Sequence, residues 1–338
     1  MKNDKQTSGK RLSKDLLIKM HDLMVKTRVL EERLIKMYKQ NDGFFWIGGP
    51  GEEALNIPLG MLLKKGHGPK FDYFHGHYRS SGVLLALGAD PIDSIRQMKN
   101  TVKDPYSGGR NFINHQTVEK WNVAPISSPI GVQFSVAPGT SLANKRESKE
   151  AITVVIGGDA GTAEADFATA LIWSSRPGNE LPLLMIVTNN SWGISTPART
   201  QHGERNVADR GKAFGIRTMI INGLDPEESY TKLREAFEYV RKERKPLLLE
   251  AKVTRLYGHS SASGANLVTE EEDPILSFET RLKKEKVLSS DQIKKVWDQY
   301  SAEFLKHAQA VRGEPQPSGD TIYNYVFKDK PVGGRYHG

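Results

Sequence analysis

No cysteine occurs in the 338 residues, which excludes disulfide staples, zinc-thiolate sites and thiol nucleophiles. Any catalysis must draw on other side chains or on a bound cofactor. Long hydrophobic runs are missing as well. Stretches such as Leu181 to Val187 and Ile152 to Ile156 fall far short of the roughly 20 residues that cross a bilayer, so no membrane-spanning helix and no membrane partner is expected. The opening MKNDKQTSGKRLSKD lacks the apolar centre of a secretory signal, and Asp4 comes early for an organellar transit peptide. Residues 1–13 are therefore expected to be a flexible leader on a cytoplasmic protein. Acidic charge falls short of basic: 48 Lys and Arg against 40 Asp and Glu give a net charge of +8. That balance admits nucleic acid, a phosphorylated ligand or an acidic protein surface as partner. The basic residues are scattered, apart from Arg241 to Lys245 and Arg281 to Lys286, and no nucleic-acid signature accompanies them, so nucleic acid is not expected.

What is present is periodic. Ser13 can cap a helix in which Leu16, Met20, Leu23, Leu30, Leu34 and Met37 recur on three- and four-residue steps, a long amphipathic helix closing at Asn41-Asp42-Gly43. An aromatic and glycine loop, Phe44 to Gly51, leads to a second helix around Glu52 to Lys64 that Pro58 can bend. From Ile152 compact apolar runs alternate with helical segments: ITVVI, ADFATALIWSS, LPLLMIVT, the segment before Gly215, RTMII, a helix from Asp225, then PLLLEAKV. Asp225-Pro226-Glu227-Glu228 is a helix start, with a capping side chain, proline in the first turn and early acids. This alternation predicts an α/β fold, a parallel sheet with helices on both faces. Helical extensions flank it, since the chain turns helical again after Asp273-Pro274. No linker divides the sequence, so one domain is expected over 14–311, with a tail over 312–338 that packs on a partner subunit.

In an open parallel sheet, ligands bind beyond the carboxyl ends of the strands. Gly157-Gly158-Asp159 follows ITVVI, and Asn189-Asn190 follows LPLLMIVT. One crossover helix separates the two strands, so Asp159 and Asn190 can converge. A carboxylate, an amide oxygen and nearby carbonyls form a hard-oxygen set suited to magnesium, which completes its octahedron with phosphate oxygens and water. The glycines let the backbone approach a diphosphate, and N–H groups of the helix after Thr162 can point at it. Either motif alone would pass for an ordinary turn; together they indicate a magnesium–diphosphate site.

The segment GGDAGTAEADFATALIWSSRPGNELPLLMIVTNNSWGIST resembles the thiamine-diphosphate motif of the E1 alpha subunits of 2-oxoacid dehydrogenase complexes. That family runs Gly-Asp-Gly, a helix near Glu-Gly-Asp-Phe, a strand, then Asn-Asn-x-aromatic-x-Ile-Ser-Thr. The resemblance implies the thiamine-diphosphate-binding fold, with Asp159, Asn190 and the backbone carbonyl of Trp192 as magnesium ligands and Gly158, Ala160 and Gly161 along the diphosphate. The family's Gly-Ala after the Asp stands here as Ala160-Gly161. Tyr78-Arg79 in HYRSSGVLLALG is similar to the family's Tyr-Arg segment, whose arginine grips the diphosphate with its planar fork. Ile126-Ser127-Ser128-Pro129-Ile130 is similar to the segment that supports the aminopyrimidine; Ser128 would contact the cofactor and Ile130 would wedge beneath it. By its residues alone this segment also reads as a proline-initiated helix start. Branched-chain members bind a potassium ion here; Ser127 and Gln133 match, but Val132 stands where a threonine hydroxyl is expected, which weighs against that ion. Tyr257-Gly258-His259-Ser260 resembles the family's Gly-His-Ser loop, so His259 would touch the diphosphate and assist acyl transfer. The acidic residues usual a few places later are replaced by Ser263-Gly264-Ala265. Phe44-Phe45-Trp46 aligns with a segment whose aromatics line the substrate entrance, with Phe45 and Tyr78 as the substrate candidates.

By that resemblance the reaction is decarboxylation of a 2-oxoacid, with transfer of the acyl group to the lipoyl domain of the E2 component. The Ile-Ser-Ser-Pro-Ile segment leans to a branched-chain 2-oxoacid, with pyruvate close behind. An acetoin dehydrogenase alpha subunit and a non-catalytic basic scaffold are the alternatives. The glutamate that activates the cofactor belongs to the family's beta subunit, which implies an α2β2 heterotetramer and no activity for this chain alone.

Overall fold

The structure, a computed structural model, describes residues 11–148, 150–321 and Asn324. Most of the expected leader, and the expected tail beyond 321 apart from Asn324, lie outside these residues. In chain order the elements are α1 Lys14–Lys39, α2 Glu53–Leu62, β1 Tyr73–His75, α3 Ser81–Leu87, α4 Pro91–Met98, α5 Val132–Glu147, β2 Thr153–Gly158, α6 Ala165–Ser174 and β3 Leu183–Asn189. There follow a small ribbon, β4 Trp192–Gly193 and β5 Thr196–Pro197, then α7 Asp209–Lys212, β6 Arg217–Asn222, α8 Pro226–Glu243, β7 Leu247–Lys252, α9 Pro274–Lys284 and α10 Ser290–Val311. Among the described residues no helix is long and apolar enough to cross a membrane.

Five strands form one wholly parallel sheet in the order β1-β2-β3-β7-β6. Its alternate side chains feed two cores. Val154, Ile156, Leu184, Ile186, Leu247 and Leu249 pack against α2, α3 and α8. Val155, Leu183, Met185, Val187 and Leu248 meet Phe134 of α5 and Phe167 of α6, whose rings stand edge to face at 5.1 Å. The expected α/β architecture, with both sheet faces covered, is what the chain builds. A third core joins the helical extensions, where α1 packs on α9 and α10 through Met20, Met24, Phe278, Leu282 and Phe304.

Capping chemistry sets several helix starts as the sequence indicates. Ser13 Oγ accepts the Leu16 N–H at 3.3 Å, and Asp273 Oδ1 accepts that of Ile275 at 2.9 Å. Asp225 Oδ1 accepts the Glu227 N–H at 2.9 Å, and its carboxylate also meets Arg281 at 2.8 Å. Asp225→Ala is therefore expected to lower stability by about 1 kcal/mol, the usual worth of such a cap, read as a lower urea midpoint at unchanged slope. Pro58 sits inside α2 without ending it. Pro129 does not start a helix: α5 begins beyond it at Val132, after Gly131 in the left-handed conformation at φ 84°. Placing a glycine in that region costs little, so the chain turns there and not at the proline. The described part of the C-terminal segment folds back on its own chain, Glu314 meeting Arg96 at 3.1 Å and the Pro315 carbonyl accepting the Val102 N–H at 2.9 Å.

Candidate cofactor and metal site

β2 and β3 lie side by side with Gly158 opposite Thr188, and α6 makes the crossover between them. Asp159 and Asn190 consequently emerge at the same end of the sheet. They line one cavity of about 190 Å³ together with Tyr78, Arg79, Ile130, Gly158, Ala160, Gly161, Trp192 and His259. Ser128 and Phe45 stand one layer back. Ser128 Oγ bonds His115 Nε2 at 2.5 Å, and Phe45 packs on Phe112 at 5.3 Å, which in turn meets His115 at 6.2 Å.

Asp159 is almost fully buried at 1% exposure, and its Oδ2 has no hydrogen-bond partner. Burial pushes its pKa above the usual carboxylate range, against the pull of backbone N–H groups and of His202 and Arg79. An orphaned buried carboxylate oxygen is costly unless a cation completes it. Asn190, 6% exposed, presents Oδ1, which already accepts the Trp192 N–H at 3.0 Å and keeps a second lone pair. Among the described residues no group of three or more His, Cys, Asp or Glu side chains is placed to hold a metal, so a cation here would rest on one carboxylate and neutral oxygens. That donor set fits magnesium and a bridging phosphate.

Arg79 is buried and held from behind: Nη1 donates to the Gly48 carbonyl at 2.6 Å, and its own carbonyl accepts Asn56 Nδ2 at 2.9 Å. Glu52 lies 3.9 Å from Arg79 Nε, beyond hydrogen-bond reach. Burial, reinforced by Asp159 and Glu53 and opposed by Arg79, pushes Glu52 up to about 8. With Glu52 pushed up, Asp159 is the carboxylate left to offset Arg79 among the cavity's described residues. The imidazoles add no positive charge. Burial lowers His259 to about 4 and takes His77 and His115 down as well, with Arg79 opposing charge on His259 and His77. His259 Nε2 faces the Tyr78 hydroxyl at 3.4 Å.

The glycines show why the site can close. A Cβ at Gly157 would lie 2.6 Å from Phe134, and one at Gly161 would lie 3.0 Å from Ile130 Cγ2. The order Ala160-Gly161 therefore gives Ile130 room to approach, and the chain crosses the site as a short 3-10 turn over Ala160–Ala163. His77, Gln133, Ile194 and Gln201 also line the cavity, and sequence reasoning assigned none of them to the cofactor pocket. His77 adjoins Tyr78-Arg79 and Ile194 is the isoleucine of the Asn-Asn-x-aromatic-x-Ile-Ser-Thr pattern, so both could have been found there; Gln201 comes from an irregular loop with no periodic signal.

The carboxyl edge of the parallel sheet of this α/β chain gathers a buried carboxylate, an amide and an arginine in one pocket. The sequence profile described as "Dehydrogenase E1 component" matches residues 21–319, and the chain belongs to that family. Membership makes it a component of a thiamine-diphosphate-dependent 2-oxoacid dehydrogenase. It is 28% identical over 318 residues to the 2-oxoisovalerate dehydrogenase subunit alpha of Bacillus subtilis, covering 92% of this chain and 94% of that one. It is 32% identical over 252 residues to the mitochondrial 2-oxoisovalerate dehydrogenase subunit alpha 2 of Arabidopsis thaliana, covering 75% of this chain and 52% of that one. To the human mitochondrial alpha subunit of the same name it is 24% identical over 332 residues, covering 95% and 72%.

Proposed function

We propose that this chain is the alpha subunit of a branched-chain 2-oxoacid dehydrogenase E1, holding the magnesium–diphosphate end of the cofactor while a beta subunit in an α2β2 assembly holds the reacting end. The single observation that carries this reading is the unpartnered buried Oδ2 of Asp159 in the pocket that also gathers Asn190 and Arg79. Asp159, Asn190 and the Trp192 carbonyl would hold the metal. Arg79, Tyr78, His259 and the backbone of Gly158, Ala160 and Gly161 would take the diphosphate. Bound thiamine diphosphate supplies the nucleophilic carbon and electron sink for decarboxylation. The protein's own part is orientation and charge. Arg79 is pre-aimed by Gly48, so little rotamer freedom is lost when it meets phosphate. His259, held neutral by burial beside Arg79 and Arg255, offers one ring N–H donor and one ring acceptor beside the Tyr78 hydroxyl, and would hydrogen-bond the diphosphate or the acyl group there. Ser128 holds His115 behind Tyr78, and it would stand with Ile130 on the aminopyrimidine side of the cofactor.

Ile130 is 50% exposed although it lines the pocket, which supports a second wall supplied by another chain. Val132 brings no hydroxyl where the potassium-binding members of the family carry a threonine, which weighs against a potassium ion at this segment. The branched-chain preference rests on the names of the relatives. Assayed with its beta subunit, the pair is expected to turn over 3-methyl-2-oxobutanoate with a kcat/KM about tenfold or more above that for pyruvate, in line with what added methyl groups contribute in an apolar pocket. The chain alone is expected to be inactive. Turnover by the isolated chain would overturn the shared-site reading, and a preference for pyruvate would overturn the substrate.

A further inference from the structure

β7 is apolar at Leu247, Leu248, Leu249 and Ala251, yet Glu250 among them is fully buried at 0% exposure. A carboxylate is tolerated in such a place only when its oxygens are occupied. Oε1 accepts Asn189 Nδ2 at 2.7 Å and also meets Lys252, while Oε2 accepts the Ala208 N–H at 2.9 Å. The register explains the first contact: β3 and β7 pair with Val187 opposite Glu250 and Asn189 opposite Lys252, so Asn189 is the diagonal neighbour of Glu250 on the same face.

These bonds have a geometric result at the pocket. With its Nδ2 given to Glu250, the Asn189 amide turns Oδ1 to the Ser191 N–H at 3.0 Å. Ser191 takes the left-handed conformation at φ 63°, and the turn delivers Asn190 and Trp192 to the cavity. At the other end, Ala208 enters α7 with its N–H on the same carboxylate. One side chain thus ties down both ends of the segment 190–207, whose Trp192, Gly193, Ile194 and Gln201 form a wall of the pocket. Neither Glu250 nor Asn189 lines the cavity. We propose that Glu250, acting through Asn189, is a positioning residue that sets the orientation of Asn190 and of this wall for the metal. The inference rests on the cofactor reading above.

The test uses the full chain assembled with its beta subunit and calorimetric titration of thiamine diphosphate at increasing magnesium. Asn189→Ala and Glu250→Gln are expected to raise the half-saturating magnesium concentration about 10- to 100-fold, the range found when a group orienting a metal ligand is removed. Stoichiometry at saturating magnesium should be kept, and amide exchange over 190–207 should quicken. In Glu250→Gln the new amide can keep one acceptor but sets N–H against N–H at Asn189 or Ala208. Asn189→Ala removes no buried charge, so it keeps the test open if Glu250→Gln fails to fold. Wild-type magnesium dependence in Asn189→Ala, with Asp159→Ala having lost its magnesium response, overturns this proposal alone. An Asp159→Ala protein that binds like the wild type overturns the cofactor reading and this proposal with it.

Discussion

Asp159→Ala, assembled with its beta subunit, is expected to lose magnesium-dependent thiamine diphosphate binding by about 100-fold or more, roughly 2.8 kcal/mol at 1.4 kcal/mol per tenfold. The residue is the only acidic side chain that lines the cavity among the described residues, and its loss removes the formal negative charge nearest the proposed metal. A second outcome separates a ligand from a structural residue. Burial raises the Asp159 pKa in the folded state, so the native chain binds its proton more tightly than the unfolded chain does. Between the unfolded and folded pKa values stability therefore falls as pH rises, and the metal-free protein carries an unpaired buried charge above that window. Asp159→Asn removes that charge while keeping the shape. It is expected to melt above the wild type when no cofactor is present, and to gain nothing from magnesium and thiamine diphosphate, which should stabilise the wild type by mass action. Thermal melts with and without both ligands decide it. A wild-type ligand response in either variant would remove Asp159 from the metal site.

The same residues show what made part of this protein readable from its sequence. Strands of a parallel sheet are buried on both faces, so ITVVI and LPLLMIVT stand out as continuous apolar runs, and the residues that follow them inherit a known place at the sheet edge. β1 escaped because it is three residues long and lies at the edge of the sheet. α5 escaped for a different reason. Its buried face includes Gln133, Ser141 and Asn144 and its interior holds Pro138, so no apolar periodicity marks it as a helix. Within the pocket, Asp159 and Asn190 were legible because their chemistry and their places after two apolar strands travel together, whereas Arg79 was marked only by the family resemblance. Glu52 was not legible, since its elevated pKa comes from full burial and from Asp159, a neighbour that only the fold brings near. Glu250 was hidden for a related reason: on paper it is one acid at the end of an apolar run, and only strand register discloses that it meets Asn189.

Glu53→Ala is expected to cost about 3–5 kcal/mol of folding stability, because it removes one of the two carboxylates that pair a buried arginine. Glu53 is 0% exposed and takes Arg28 Nε at 2.7 Å and Nη2 at 3.1 Å, while its Oε2 also accepts the Gly51 N–H at 2.8 Å. Arg28, 3% exposed, completes its fork on Asp273 at 2.6 Å, the residue that caps α9. Burial alone would lower the pKa of Arg28; its pairing with Glu53 and Asp273 more than offsets this and holds it above the usual value. The triad therefore joins α1, α2 and α9 through bidentate hydrogen bonds, the arrangement in which an ion pair is strongest. Removing Glu53 leaves Arg28 with one partner and frees the Gly51 N–H. The loop from Ile47 to Glu52 loosens in turn, and with it the Gly48 carbonyl that holds Arg79 at 2.6 Å. Loss of stability should thus be accompanied by weaker diphosphate binding in the protein that remains folded. Urea unfolding at constant slope measures the first, and calorimetry well below the melting transition measures the second. The double variant Arg28→Met with Glu53→Met distinguishes a half-paired buried charge from a lost contact. It is expected to recover part of the stability, since apolar side chains of similar volume carry no desolvation penalty. A double variant no more stable than Glu53→Ala would show that the lost hydrogen bond to Gly51, not the half-paired charge of Arg28, accounts for the cost.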